Sequence, residues 1–494
     1  MSTDTAAPEV EPTPTRKPRK WIKRTLIAIA AVIVFLLALI ITVLLYFRIP
    51  SNSAGLAAQT VCSGTFVSGR NADDVFTQDV LPQSPALSIV KTSADPATRS
   101  VTAKFLWIVE RRASLLPNRG CVLDVDPDSS AQPFTAQSEN PAPWPAGDAA
   151  LPPAQWGPGV NVAGLQKVVD DAFVGSGDPT AANARGIAVI HDGKLLIQKQ
   201  GTGFPKSTPL LGWSMTKTVN MMILYKKAQE TNFDLNQLVI NAFPPNREPS
   251  WVADWRKDSR KSLIKVSDLM FMRSGLDMED DYGPQGKVVQ MLYGEPSMAA
   301  FAASQRMLDD PGKLWAYSTG SSDILSQIAQ GMFPNDQEYW QYWQNAVFGP
   351  IGINTGVFAT DTSGTWVGGS YIWASTGDWA KLGQLMLNDG AWGSQQVVPK
   401  GWWKLAGVPA MPDGDGHGYG AQTWIPGQPV GGECKSDAGV PKDTLSMDGH
   451  YGQLVAMVPS KKAVIVRLGW TIDKTKFDGC QFMSDVLANL PDAK

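Results

Sequence analysis

Three serine–lysine pairs with the spacing S-x-x-K stand in the chain, Ser88/Lys91, Ser214/Lys217 and Ser262/Lys265. On a helix this spacing sets a hydroxyl and an amine on one face. If the lysine is buried, its charged form is disfavoured and it can accept the serine proton, making the serine a nucleophile for a carbonyl carbon. Context separates the three. Ser88 lies in a β-rich run, where i and i+3 point to opposite faces. Ser262 follows the charged stretch WRKDSRK and reads as a helix start with solvated lysines. Ser214 follows Leu211-Gly212-Trp213 and opens the apolar run Val219–Tyr225, the first turn of a buried helix. There a serine gains from the helix dipole and its amide can hold an oxyanion. The alternative for this pair is an N-cap serine beside a snorkelling lysine.

Other chemistries find little support. The chain has three histidines, His191, His417 and His450, and no H-E-x-x-H, which argues against a zinc hydrolase. A G-x-S-x-G elbow, a P-loop and a G-x-G-x-x-G after a strand are all missing from the sequence. No metal and no cofactor is expected. His191 reads as a turn residue.

Ser214-Met215-Thr216-Lys217 resembles the first motif of the serine β-lactamase and penicillin-binding-protein-like hydrolases. That family includes class C β-lactamases, D-alanyl-D-alanine carboxypeptidases, esterases and 6-aminohexanoate-dimer hydrolases. Asp268–Leu276 resembles the stretch between its first two motifs, and Trp315-Ala316-Tyr317-Ser318-Thr319-Gly320 matches the second, Y-x-N, at the tyrosine. Gly449-His450-Tyr451-Gly452-Gln453 stands where the family has K-T-G or H-x-G, and Gly416–Gly420 resembles a Gly/Tyr-rich segment before it. The match covers roughly residues 160–490.

The resemblance implies an acyl-enzyme on Ser214, with Lys217 as base and Tyr317 as proton shuttle, its phenol eased toward phenolate by the lysine. It implies an oxyanion hole of the Ser214 and Gln453 amides, and substrate contacts from His450, Gly452, Thr319 and Tyr282. Two positions depart from the pattern. Thr319 replaces the usual asparagine, and His450 replaces a lysine, so a permanent positive charge is missing at neutral pH. β-Lactams and D-Ala-D-Ala peptides present a carboxylate to that charge. The expected substrate is therefore another small ester, amide or peptide-like molecule. The alternatives are a membrane-tethered penicillin-binding or sensor module with little turnover, and a β-lactamase or D,D-carboxypeptidase.

The elements that must position these residues follow from patterning. The chain has 494 residues, 43% hydrophobic and 18% charged, enough for at least two folded units. Thr25–Phe47 is an uncharged run of 23 residues, roughly 34 Å as a helix, which predicts an uncleaved transmembrane span. Six basic residues between Arg16 and Arg24 precede it, so the N-terminus is expected in the cytoplasm of a single-pass cell-membrane protein. Net charge is −3, and residues 1–24 are net basic, leaving an acidic remainder that argues against nucleic acid. Cys62, Cys121, Cys434 and Cys480 all follow the span and form no C-x-x-C. They point to disulfides in an oxidising compartment, with Cys62–Cys121 and Cys434–Cys480 preferred among three pairings.

The expected organisation is a tail at 1–24, the span at 25–47, a small β-rich extracytoplasmic region at 48–125 (with 48–56 a tether and Thr65–Val67 and Ser88–Val90 as strands), a Pro-rich connection at 126–160, and a catalytic domain at 161–494. That domain is expected to be α+β. A helix near Val162–Phe173, a hairpin turning at His191–Lys194, two C-terminal strands and a last helix from Cys480 should give an antiparallel sheet flanked by helices, with a helical subdomain.

Overall fold

A computed structural model of the chain describes residues 20–46, 48–135, 140–283, 285–411, 418–426, 434 and 439–493. The chain divides into two units, Met1–Ile49 and Pro50–Lys494. In the first, Lys20–Tyr46 is one 27-residue helix. Its described large apolar side chains are exposed, among them Ile27, Val34, Phe35 and Leu39. Among the described residues no helix is long and apolar enough to cross a membrane. The span expected at 25–47 is therefore not supported there, and positions 37, 40, 41, 44, 45 and 47 of it fall outside the described side chains.

The second unit is α+β, with four sheets among the described residues. β1 (Val90–Asp95), β2 (Ser100–Phe105), β3 (Val109–Leu116) and β4 (Gly120–Leu123) form an antiparallel meander. The central sheet combines β5 (Ala184–His191) and β6 (Lys194–Gln200) with three C-terminal strands. A small sheet joins β7 (Leu210–Leu211), β8 (Val357–Phe358) and β9 (Ile372–Ala374), and β10 (Ala391–Trp392) pairs with β11 (Gln395–Gln396) as a ribbon. β12 (Leu445–Gly449), β13 (Gln453–Val458) and β14 (Ala463–Gly469) complete the central sheet in the order β12-β13-β14-β5-β6, antiparallel throughout. The hairpin β5–β6 turns on Asp192 and Gly193, both at positive φ, as a two-residue Asp-Gly loop requires. His191 sits at that turn, its ring bonded to the Lys461 carbonyl.

Alternation along the strands feeds two cores. Ile187, Val189, Leu454, Ala456 and Ile465 pack with Leu165 and Val169 of helix Val162–Ala172 and with Phe482 and Val486 of helix Gly479–Leu487. Ala188, Ile190, Val455, Met457 and Val464 face the larger core, with helices Met215–Thr231 and Thr376–Leu387. Contact on that side is close. A Cβ on Gly383 would lie 2.6 Å from Val464 and 2.8 Å from Val455.

The N-terminal region differs from its sequence reading. Residues 48–56 are no tether, because Ile49–Cys62 is a helix whose Ala54, Ala57, Ala58 and Val61 are buried. Thr65–Val67 continues as helix within Ser63–Val67, and Ser88–Ile89 belongs to a 3-10 turn, with strand starting only at Val90. The small residues at helical spacing outweigh the local β propensity of Thr, Phe and Val. Nor do residues 126–160 separate one folded body from another, since Ala131 and Trp144 join the larger core. Disulfides link Cys62 to Cys121 and Cys434 to Cys480.

Replacing Gly383 by leucine should force the helix from the sheet, lowering stability by about 1–3 kcal/mol. A thermal melt beside Gly383→Ala checks this, and equal midpoints for wild type and both variants would contradict the packing described.

Candidate active site

The turn from β7 into helix Met215–Thr231 fixes Ser214. The Gly212 amide donates to the Ile372 carbonyl at 2.9 Å, and a Cβ on Gly212 would sit 2.2 Å from the Trp379 ring. Trp213 then takes φ +49°, a left-handed conformation unusual for a large side chain. Ser214 follows with φ −63° and ψ −10°, immediately before the helix. Met215, Thr216 and Lys217 amides donate to the carbonyls of Gly212, Trp213 and Ser214. Ser214 is 8% exposed and Lys217 1%. The lysines of the other two S-x-x-K pairs, Lys91 and Lys265, are exposed.

The Lys217 nitrogen has three hydrogen-bond partners: Ser214 Oγ at 2.9 Å, Thr319 Oγ1 at 2.8 Å and the Gly369 carbonyl at 3.0 Å. The Gly369 oxygen can only accept. Thr319 Oγ1 commits its hydrogen to Asp280 Oδ2, 2.5 Å away, and so it too accepts from the lysine. A neutral amine has two hydrogens and one lone pair. In that form its hydrogens go to Thr319 and Gly369 and its lone pair faces the Ser214 hydroxyl, whereas the ammonium form donates to all three oxygens. Burial pushes the Lys217 pKa below the ordinary lysine value, opposed by the nearby Asp280 and Asp323 carboxyls. Asp280, with Oδ2 3.8 Å from the lysine nitrogen, is raised by the same burial despite that lysine.

Helix Thr319–Gly331 brings the second motif in. Ser318 caps it, its Oγ accepting from the Ser321 amide, so Thr319 opens the first turn. The loop carrying Asp280 runs alongside, with the Asp280 amide on the Tyr317 carbonyl and the Thr319 amide on Asp280 Oδ1. The Lys217 nitrogen lies 4.7 Å from the centre of the Tyr317 ring. Tyr317 stacks on Trp424 and meets Tyr419 edge-on, which places the Gly418-Tyr419-Gly420 segment beside it. His417 of that segment lies outside the described residues. From the 268–276 stretch, the Met272 carbonyl accepts from the Ala316 amide and braces the segment leading to Tyr317.

The third motif turns between β12 and β13. Gly449 approaches so near that a Cβ would lie 2.2 Å from the Gly212 carbonyl. The His450 ring is stacked on Tyr282, 4.1 Å between centres, and meets the edge of Trp213. Burial, with Lys474 and Lys217 nearby, pushes its pKa down to about 3. Gly452 has φ +77°, and a Cβ there would lie 2.5 Å from the Arg467 guanidinium. Gln453 opens β13, its side chain clasping Gly469 through bonds of 2.6 and 3.0 Å. Ser214, Lys217, Tyr317 and Thr319 are thus in one cluster, and His450, Tyr282 and the Gly452 turn adjoin it through Trp213.

Three participants escaped the sequence reading. Asp280 stood in the acidic run Glu279-Asp280-Asp281, where nothing in the sequence says which carboxylate turns inward. Gly369 contributes only a carbonyl, and its own Cβ would lie 2.4 Å from Thr319 Cγ2. Asp323, one helical turn past Thr319, holds the Gly369 amide at 3.1 Å. The short threonine at an asparagine position was the available signal, because a smaller side chain leaves room for another group.

A sequence profile described as Beta-lactamase matches residues 169–469. The chain belongs to the β-lactamase family of serine hydrolases. Similar solved structures include a protein described as a 6-aminohexanoate-dimer hydrolase from Bacillus anthracis, 18% identical, with TM-score 0.50 over 66% of this chain and 79% of that one. Another is described as a β-lactamase from Bacteroides dorei, 15% identical, TM-score 0.52, over 67% and 97%. A third is EstCE1, a hydrolase with promiscuous acyltransferase activity, 13% identical, TM-score 0.51, over 66% and 98%. At these identities the likeness concerns the fold alone. No curated protein matches the sequence significantly.

The His450 imidazole should stay neutral throughout the physiological range and titrate only near pH 3. Nitrogen-15 NMR of labelled histidine, assigned with His450→Asn, checks this, and titration near the ordinary value of 6.5 would contradict the burial described.

Proposed function

We propose that the chain hydrolyses an ester or amide through an acyl-enzyme on Ser214. The observation that carries this is the buried Lys217 nitrogen 2.9 Å from Ser214 Oγ, with the Thr319 and Gly369 oxygens placed to take two hydrogens, so that the free amine has its lone pair left for the Ser214 hydroxyl. Ser214 Oγ attacks the substrate carbonyl carbon as its proton passes to Lys217 Nζ. The carbonyl electrons move onto oxygen, where the amides of Ser214 and Gln453 stabilise the charge. Tyr317, against the lysine, relays a proton to the leaving group as the carbon–heteroatom bond breaks. Water then attacks the ester with proton transfer in the reverse sense, releasing the acid and restoring Ser214.

The departures bear on substrate. A neutral His450 gives no cation to a carboxylate at the K-T-G position, which favours esters and amides over β-lactams and D-Ala-D-Ala peptides. Thr319 is occupied in holding Lys217 and Asp280, so its role is positioning rather than substrate contact. The Tyr282 hydroxyl is buried with no partner among the described residues, and with His450 and Gly452 it is the group suited to a substrate amide. Membrane anchoring belongs to the same proposal. It is supported by the uncharged run from Thr25 onward within helix Lys20–Tyr46 and its exposed apolar side chains, while the two disulfides suit an extracytoplasmic catalytic unit behind a cytoplasmic N-terminus.

The full chain in detergent micelles should be labelled by a fluorescent fluorophosphonate, with labelling lost in Ser214→Ala and Lys217→Ala and no labelling by a fluorescent penicillin. Penicillin labelling would favour the cell-wall reading, and no turnover across an ester and amide panel a binding or sensor module. Tyr317→Phe should lower kcat/KM by about 10²–10⁴-fold.

Because Asp280 favours the ammonium form, Asp280→Asn should lower the Lys217 pKa further. Activity needs the free amine, so the acidic limb of kcat/KM should move to lower pH. A limb that stays in place or moves upward would contradict this coupling.

A further inference from the structure

Trp213 also lines a narrow cavity that the proposed reaction does not use. It is walled on one side by the N-terminal segment, through Ser63, Arg70 and Asp79, and on the other by Arg185, Trp213 and Trp470 of the catalytic unit. Its volume is about 40 Å³, on a measure by which one water needs roughly 10–15 Å³. It has room for a carboxylate group and none for a ring.

The charges do not balance. Asp79 takes both arginines at once. Its Oδ1 accepts from Arg185 Nη2 and Arg70 Nη2, and its Oδ2 from Arg70 Nη1 and Arg185 Nη1. Four N–H groups saturate that carboxylate, and two guanidinium groups on one carboxylate leave one positive charge over. On the neighbouring strand β14, Arg467 is wholly buried and its Nη atoms bond only neutral oxygens among the described residues, those of Gly452, Tyr451, Ala182 and Thr471.

The hydrogen bonds do not balance either. Arg185 Nε, Trp213 Nε1, Trp470 Nε1 and Ser63 Oγ are buried with no partner among the described residues. All four residues line this cavity and are 4%, 3%, 4% and 2% exposed. Three of these atoms can only donate, and the serine can do so. Leaving such donors unmet costs stability, so the site requires an acceptor, and the surplus charge requires an anion. Water could meet the donors but not the charge.

We infer that this cavity is a carboxylate-binding site, built jointly by the N-terminal segment and the catalytic unit. Trp213, which precedes the nucleophile, and Gln453, at the expected oxyanion hole, both line it. On this account a substrate whose acyl chain ends in a carboxylate places that group here, since the His450 side offers no cation. That substrate arm rests on the hydrolase reading above. The same chemistry would hold a free carboxylate as an effector.

The test uses the full chain in micelles. Calorimetric titration with sodium acetate and sodium glutarate, against sodium chloride at equal ionic strength, reads binding without turnover. In parallel, kcat/KM is compared for mono-4-nitrophenyl glutarate and 4-nitrophenyl butyrate. The account predicts saturable heats for both carboxylates, preference for the glutarate ester, and loss of both by about tenfold in Ser63→Ala and in Trp470→Phe, with butyrate turnover unchanged. Saturable binding without ester preference would support the site and assign it to a free carboxylate. Carboxylates indistinguishable from chloride, with no ester preference, would overturn it and leave a water-filled ion pair. Arg185→Gln should abolish binding, and the two milder variants decide the matter should it fail to fold. If fluorophosphonate labelling and all ester turnover fail, the hydrolase reading falls, while the calorimetry still judges the cavity.

Discussion

An amine held out of water among two oxygens that can only accept its hydrogens is the constraint on which this site depends. Lys217 could keep its proton only at the expense of burial, and the aspartates beside it are themselves raised by burial. Thr319 transmits this arrangement. Its single hydrogen belongs to Asp280, which fixes the direction of its bond to the lysine. Gly369 does the same from the opposite side, with its amide tied to Asp323. For the free amine, the direction of the serine–lysine bond therefore depends on carboxylates that never touch the serine.

Several close backbone approaches make that constraint possible. Gly212 lets the nucleophile turn run against Trp379, Gly369 lets a carbonyl reach past Thr319, and Gly449 brings the third motif onto Gly212. Trp213 stays in a left-handed conformation because rings surround it: Tyr282, Tyr371, His450, Tyr451 and Trp470. One residue thereby joins the nucleophile, the His450 turn and the cationic cavity. The N-terminal segment, packed into the larger core and pinned by Cys62–Cys121, completes that wall. Its role is architectural at least as much as it is a spacer.

How much of this could be read from residues alone depended on the range of the signal. Ser214, Lys217 and Tyr317 were legible because each sits in a short motif whose spacing is itself the chemistry. The hairpin at Asp192-Gly193 and the terminal strands were legible from alternation, which local physics enforces. Thr65–Val67 misled because β-favouring side chains sat at the end of a helix that tertiary burial extends. Asp280, Asp323 and Gly369 were illegible for a different reason. They reach Lys217 from segments far along the chain, and no local pattern marks which of several acidic residues or glycines will face inward. The Arg70–Asp79–Arg185 cluster was hidden likewise, since it exists only once the two regions meet.

The most direct measurement is the titration of Lys217 itself, by carbon-13 NMR of the lysine side-chain carbon next to nitrogen, assigned with Lys217→Ala. The account predicts one lysine that loses its proton well before the others as pH rises, and that keeps this depressed value in Ser214→Ala, because burial sets it. A Lys217 signal titrating with the bulk of the lysines, at the ordinary value of 10.5, would contradict it.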